Sequence, residues 1–320
     1  MASKARELAN LGNAYSDGAL SNRNLIINGA MQVAQRGTSF SVSSTGIYTL
    51  DRYNTVAGGT AFTVEQVAGF SDFGKSLKIT GASGNTLAGV FQRIEAANVK
   101  HLSGKTVTLS FYAKASASMA IGVQAFYAGA EDNWSSSTSI EFNAINLTTA
   151  ATRYTIVLET LPSGVTNGIA IQFGTGALTS GSFEITGVQL EVGDTATPFE
   201  HRSYGQELAL CQRYYFHVGE DAFGEYTQFG QGRAYSSSNG NAIVQFPVPM
   251  RTKPTMDTGN AVAGDWDFGL TSNPTAGSVP DSFTHMTVGA AASFTNGSIF
   301  VLGANSGTGG NAQLNFDAEL

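Results

Sequence analysis

Along most of the chain apolar residues alternate with polar ones, the period of a half-buried strand. The clearest run is "GKTVTLSFYAKAS" (104–116). Val107, Leu109, Phe111 and Ala113 point one way, and Thr106, Thr108, Ser110, Tyr112 and Lys114 the other. "RYTIVLET" repeats the pattern with Tyr154, Ile156 and Leu158, and "GIAIQFG" with Ile169, Ile171 and Phe173. "SLKIT", "GVFQRI" and "MAIGVQAFYAG" add further runs at sandwich spacing. In "SFEITGVQLEV", Phe183 and Ile185 are in phase, but Val188, Leu190 and Val192 are shifted by one. A bulge at Thr186–Gly187 would absorb the slip. From Leu25 to about Val192, roughly eight to ten short strands with polar turns predict a jelly-roll β-sandwich.

The period then changes. In "VQLEVGDTATPFEHRSYGQELALCQRYYF" (188–216) the alternation stops at Val192, and Pro198 ends the last strand. Tyr204, Leu208, Cys211 and Tyr215 then recur at helical spacing, and Ser203 with Gln206 forms a capping-box pair. After this helix come strands again: "RYYFHVG", "YTQFG", "NAIVQFPVP", "HMTVGA", "SIFVLGA" and "AQLNFDAEL". The last places Leu314, Phe316, Ala318 and Leu320 on one face. At the other end "SKARELANL" (3–11) reads as a short helix, capped by Ser3 and stopped by Gly12, that needs a partner to hold it. The fold expected is all-β. The pattern divides into an N-terminal segment (1–22), a jelly-roll β-sandwich (23–200), a linking helix (201–216) and a smaller C-terminal β-sandwich (217–320).

Composition sharpens this. Charged residues are 13% of the 320, about half the usual share, and there are 38 glycines. That suits an extracellular or structural β protein better than a cytosolic helical enzyme. Residues 219–320 hold three Lys/Arg (Arg233, Arg251, Lys253) against nine Asp/Glu, a balance of −6. No basic stripe exists, which argues against nucleic-acid binding. Cys211 is the single cysteine, so an internal disulfide framework and a multi-cysteine metal site are excluded. At its apolar helical position it reads as a small buried hydrophobe. No 18-residue apolar run is present, so no membrane insertion is expected, and the first residues lack the apolar core of a Sec-type signal.

Candidate chemistry is sparse. Glu131 and Asp132 beside Trp134 in "GAEDNWSSS" read as a loop, and adjacent carboxylates do not provide the fixed separation a glycosidase needs. His101, His201, His217 and His285 fall in no catalytic frame. "GTGALTSG" (174–181) has no following helix or P-loop lysine and reads as a hairpin turn. "GDWDFG" (264–269) is the better candidate. Trp266 would stack on a sugar face, while Asp265 and Asp267 would bond its hydroxyls. A lone DxD lacks the remaining oxygen ligands of a calcium loop. Trp134 with Tyr127 is a similar glycan candidate on the first domain. No catalytic residue, metal or cofactor is expected, and the acidic balance of 219–320 favours a neutral glycan or one bridged by a divalent ion.

Three stretches carry a resemblance. "NRNLIINGAMQVAQRGTSF" (22–40) with "YTLDRY" (48–53), "GVQLEVGDTATPFEHRSYGQELALCQRYYF" (187–216), and "VQFPVPMRTKPTM" (244–256) with the terminal "LNFDAEL" resemble structural and fibre proteins of tailed bacteriophages. The resemblance implies a jelly roll similar to carbohydrate-binding modules and a small β domain after it. It also implies a virion location, attachment to other virion proteins through the N-terminal segment, a homotrimer, and host surface glycan as partner. Relatives often carry an acidic residue soon after "NG". Here Ala30 and Met31 follow Gly29, so the calcium ligand that acid would supply is missing. Two other classes fit the same domains: a purely structural fibre, adaptor or capsid decoration that binds no sugar, and a glycan-degrading enzyme, which would need converging carboxylates.

Overall fold

The computed structural model describes residue 4 and residues 23–219, 228–259, 261, 265–266, 272–276, 284–303 and 312–320. Apart from Lys4, the helix expected over residues 3–11 lies outside the described residues. The chain divides into two compact units, Met1–Glu207 with Leu320, and Leu208–Glu319.

The first unit is an antiparallel jelly-roll β-sandwich of eleven strands: β1 (Ser39–Val42), β2 (Asn54–Gly59), β3 (Phe62–Ala68), β4 (Lys75–Thr80), β5 (Asn85–Ile94), β6 (Val107–Ala115), β7 (Met119–Ala130), β8 (Asn133–Leu147), β9 (Thr152–Leu158), β10 (Ile169–Thr175) and β11 (Ser182–Val192). One sheet runs β1-β3-β4-β11-β6-β9 and the other β2-β5-β10-β7-β8. The inward residues of both meet in one core, where the Phe111 and Phe173 rings pack edge to face at 5.0 Å.

Two expectations fail here, one because a polar sequence hides a strand and one because the chain changes sheets. "GAEDNWSSS" is a loop only at Glu131 and Asp132, and from Asn133 it is already β8, an edge strand wet enough to lack alternation. "GTGALTSG" is no hairpin turn, because β10 and β11 lie in different sheets and the segment crosses between them. The supposed solvent face of β6 is also covered. Thr108 and Ser110 are buried, Thr108 donating to Gly193 O (2.7 Å) and Ser110 accepting from Arg153 (3.0 Å), under the chain that follows β11.

The expected bulge is present. β11 pairs with β6 through Thr186↔Tyr112 and resumes at Gln189↔Ser110, with Gly187 at φ 59° between them. Before the slip β11 also pairs with β4. Beyond it the partner is the segment 24–29. Leu25 N–H donates to Leu190 O and Val188 N–H to Gly29 O, both at 2.9 Å. Asn24 accepts from Leu190 N–H (3.1 Å) and donates to Val188 O (3.1 Å).

Carboxylates finish the attachment, since an irregular segment cannot satisfy its own backbone. Glu200 accepts from Asn24 N–H (2.9 Å), Glu207 from Asn28 N–H (2.5 Å), and Asp51 from the Gln35 backbone (2.6 Å) and amide (2.5 Å). Burial pushes the Asp51 carboxyl above its ordinary value, opposed by the Gln35 bonds and the Arg36 charge.

The linking helix spans Tyr204–Gln212. Its capping box is reciprocal: Ser203 N–H donates to Gln206 Oε1 (3.0 Å), and Gln206 N–H to Ser203 Oγ (3.4 Å). Of the apolar positions expected to share a face, Cys211 and Tyr215 are buried, whereas Tyr204 is 56% exposed. Glu207 is buried as well, where it accepts from Asn28 N–H.

The second unit holds β12 (Tyr215–Gly219), β13 (Gln228–Ala234), β14 (Asn239–Gln245), β15 (Thr255–Asp257), β16 (Thr275–Ala276), β17 (His285–Ala291), β18 (Ile299–Gly303) and β19 (Gln313–Asp317). They form a sheet β12-β19-β15 and a sheet β16-β17-β14-β13-β18. Leu314, Phe316 and Ala318 are all buried in its core.

A substitution tests the attachment of 24–29. A Cβ on Gly29 would lie 2.2 Å from Val188 O, and backbone cannot yield. Gly29→Ala should cost about 2 kcal/mol or more. Gly104→Ala meets nothing within 4 Å and bears only its positive φ of 72°, which is worth roughly 1 kcal/mol. Thermal denaturation of both variants should rank them in that order.

Candidate functional site

Register places an uncharged groove on the outward face of the sheet β2-β5-β10-β7-β8, the five-stranded sheet of the first unit. Gly174 pairs with Gly89 on one side and Gly122 on the other, and Gly122 pairs with Ala144. These four positions cross β5, β10, β7 and β8 in line, and their lack of bulk leaves a low floor. The next row, in the same order, is Phe91, Gln172, Gln124 and Phe142. Leu87 and Ala120 stand on the opposite bank, and the groove has a volume of about 290 Å³.

Phe142 is its aromatic wall. It is 60% exposed, whereas Phe91 on the same face is buried. A Cβ on Gly122 would come within 2.6 Å of Phe142 Cε2, so the ring leans over the glycine floor. Gln124 Nε2 donates to Ser139 Oγ at 3.1 Å, which fixes the direction of its amide. Among the described residues lining the groove none is ionisable. An apolar ring, two neutral amides and a low floor can receive the C–H face and hydroxyls of a saccharide. Among the described residues that line it there is no acid–base pair.

The residues singled out from sequence lie elsewhere. Trp266 is 0% exposed, set 5.5 Å from Phe229 in the second core, its Nε1 donating to Asn273 Oδ1 at 3.2 Å. Its ring has no free face for a sugar, and the stacking role expected of it is withdrawn. Asp265 is buried beside it in the chain, and Asp267 lies outside the described residues. Tyr127 is half-buried against the first core, so close to the turn at 163–167 that a Cβ on Gly164 would lie 2.2 Å from its Cε2. Trp134 is half-buried and already carries the Arg93 guanidinium over its ring at 5.0 Å. Neither Tyr127 nor Trp134 lines the groove.

What sequence reasoning missed was Phe142, Gln124 and Gln172. The signal was present in part. In "MAIGVQAFYAG" Gly122 and Gln124 occupy the outward positions, and "GIAIQFG" puts Gln172 and Gly174 there. Only the pairing register brings them together.

No protein-family model and no curated protein matches the sequence. Among solved structures, the bacteriophage CBA120 tailspike protein 4 enzymatically active domain is 17% identical at a TM-score of 0.38, over 53% of this chain and 22% of that one. The family 11 carbohydrate-binding module from Clostridium thermocellum, in complex with a beta-1,3-1,4-mixed-linked tetrasaccharide, is 14% identical at 0.33, over 51% and 98%. The CBM22-2 xylan-binding domain from Paenibacillus barcinonensis Xyn10C is 18% identical at 0.33, over 44% and 92%. The chain thus spans about a fifth of the tailspike domain and nearly all of each module.

The burial of Trp266 makes a prediction. Trp266→Ala opens a cavity in the second core and should cost about 3–5 kcal/mol. Hydrogen exchange should show β13 and β14 amides losing protection while those of β6 and β11 keep it. Unchanged protection throughout would return Trp266 to the surface.

Proposed function

We propose that this chain is a non-catalytic glycan-binding protein of a tailed-phage virion, a fibre or receptor-binding protein, and that its first unit holds host surface glycan in the groove of the five-stranded sheet. The observation that carries the glycan part is Phe142. A 60% exposed phenylalanine beside two amides over a glycine floor has no role in the core and suits a sugar face. The virion part rests on the sequence resemblance of the stretches at 22–40, 48–53, 187–216 and 244–256 and the terminal "LNFDAEL" to phage fibre proteins. The same resemblance supports attachment to other virion proteins through residues 1–22. A homotrimer is supported by the low charge and by the edge strands each sheet leaves open, the longest being β8 with its fifteen residues.

A groove of this kind binds one saccharide weakly, and adhesion would come from several copies acting together. The test is calorimetric titration of the full chain with a panel of neutral soluble oligosaccharides. Phe142→Ala should weaken binding about tenfold, or roughly 1.4 kcal/mol, without lowering the melting temperature. Because no lining residue titrates, affinity should stay level between about pH 5 and pH 9. Equal binding by wild type and Phe142→Ala, or no binding to any neutral member, would remove the groove as the site. Light scattering giving a monomer, and labelled virions lacking the protein, would remove the trimer and the virion assignment respectively.

A further inference from the structure

The second unit has a groove of a different electrostatic kind. It lies on the outward face of the sheet β16-β17-β14-β13-β18 and has a volume of about 700 Å³. Arg233 on β13 stands at its centre, paired across the strands with Asn241 on β14 and Ile299 on β18. One step along β13, Gln231 pairs with Ile243, which in turn pairs with Thr287 on β17. Tyr235 and Asn296 also line it. Tyr235 is 59% exposed and Ile299 80% exposed, so apolar surface flanks the guanidinium.

The charges are distributed unevenly. Residues 219–320 carry nine acids and three bases. Two of the bases are engaged: Arg251 donates to Ala318 O (2.8 Å) and Glu319 O (2.7 Å), and Lys253 has its own partner. Among the described residues the Arg233 side chain makes no hydrogen bond or ion pair, and none of the described residues lining its groove is acidic. The remaining polar groups are neutral amides and hydroxyls. An acidic unit that keeps acid away from one groove and sets a free guanidinium there offers an anion a local well against a repulsive background.

We propose that this groove binds a carboxylate-bearing saccharide, of the uronic-acid class, through Arg233. The guanidinium forks onto the carboxylate with two parallel N–H···O bonds. Gln231, Asn241 and Asn296 take the ring hydroxyls, and Tyr235 and Ile299 cover the C–H face. One cation matches one carboxylate per sugar, and the amide-rich walls match hydroxyls rather than a peptide. This reverses the reading drawn from the balance of −6, which holds only if charge is spread evenly. The site is independent of the Phe142 groove, whose lining is uncharged.

The experiment titrates the full chain with oligogalacturonate, hyaluronan and alginate oligosaccharides, each beside its methyl-esterified form. At least one acid should bind, its ester at least tenfold more weakly. Arg233→Ala should lose at least tenfold and Arg233→Lys less, because lysine keeps the charge and loses the fork. Phe142→Ala should leave this binding unchanged, which separates it from the first groove. Equal affinity for acid and ester, no binding by any acid, or loss of binding in Phe142→Ala would overturn the proposal. So would a changed molecular mass of Arg233→Ala in light scattering, which would make this face a contact between copies of the chain.

Discussion

Gly187 sits at φ 59° in the middle of β11, and the slip it makes turns every later side chain of that strand over. Without the slip Val188 and Leu190 would face outward while Gln189 and Glu191 entered the core. With it, the apolar pair stays buried, and Gln189 and Glu191 reach the chain that returns over the sheet. Gln189 accepts from Glu200 N–H at 2.8 Å and Glu191 from Thr197 N–H at 2.9 Å. The slip also frees the edge that Asn24–Gly29 then occupies. A Cβ at 187 would lie 2.4 Å from Phe73 Cζ, so glycine is required by space as well as by conformation. The motif at 22–40 and the motif at 187–216 are therefore two halves of one joint.

The same dependence on register governs the groove. Strand sequence decides which side chains point outward, but only pairing decides which of them are neighbours. Gln124 and Gln172 are forty-eight residues apart in the chain and face one another across β7 and β10. Gly122 would be an ordinary weak point in a strand. Placed between Gly174 and Ala144 it becomes floor, and Phe142 gains the room to lean outward.

This explains what could be read from sequence. The alternation at 104–116, the phase slip at 186–187 and the Ser203–Gln206 cap each depend on residues close in the chain, and each is in the structure. The failures involve distant partners or an unusual exposure to water. Glu207 is charged, so its place on the buried side of the helix had no local sign; its reason is Asn28, far upstream. Trp266 in a Gly–Asp–Trp–Asp context reads as an exposed platform, and only the packing of Phe229 shows otherwise. Asn133–Ser139 lacked alternation because both sides of an edge strand meet water.

Low overall charge is the physical basis of the selectivity proposed for these surfaces. On a densely charged protein one arginine adds little to a field already full of neighbours and counterions. On this chain, with 13% charged residues, a guanidinium meets few competing charges within a Debye length, about 8 Å at physiological salt. A groove without ionisable groups, by contrast, selects by shape and hydroxyl pattern and ignores salt. Amide-rich sheet faces of this kind bind by contacts each worth little, so rigid strands matter more than strong groups: an amide already held in place loses less freedom on meeting a hydroxyl. The sandwich supplies that rigidity, and the joint at Gly187 sets the pairing of β11 with β6.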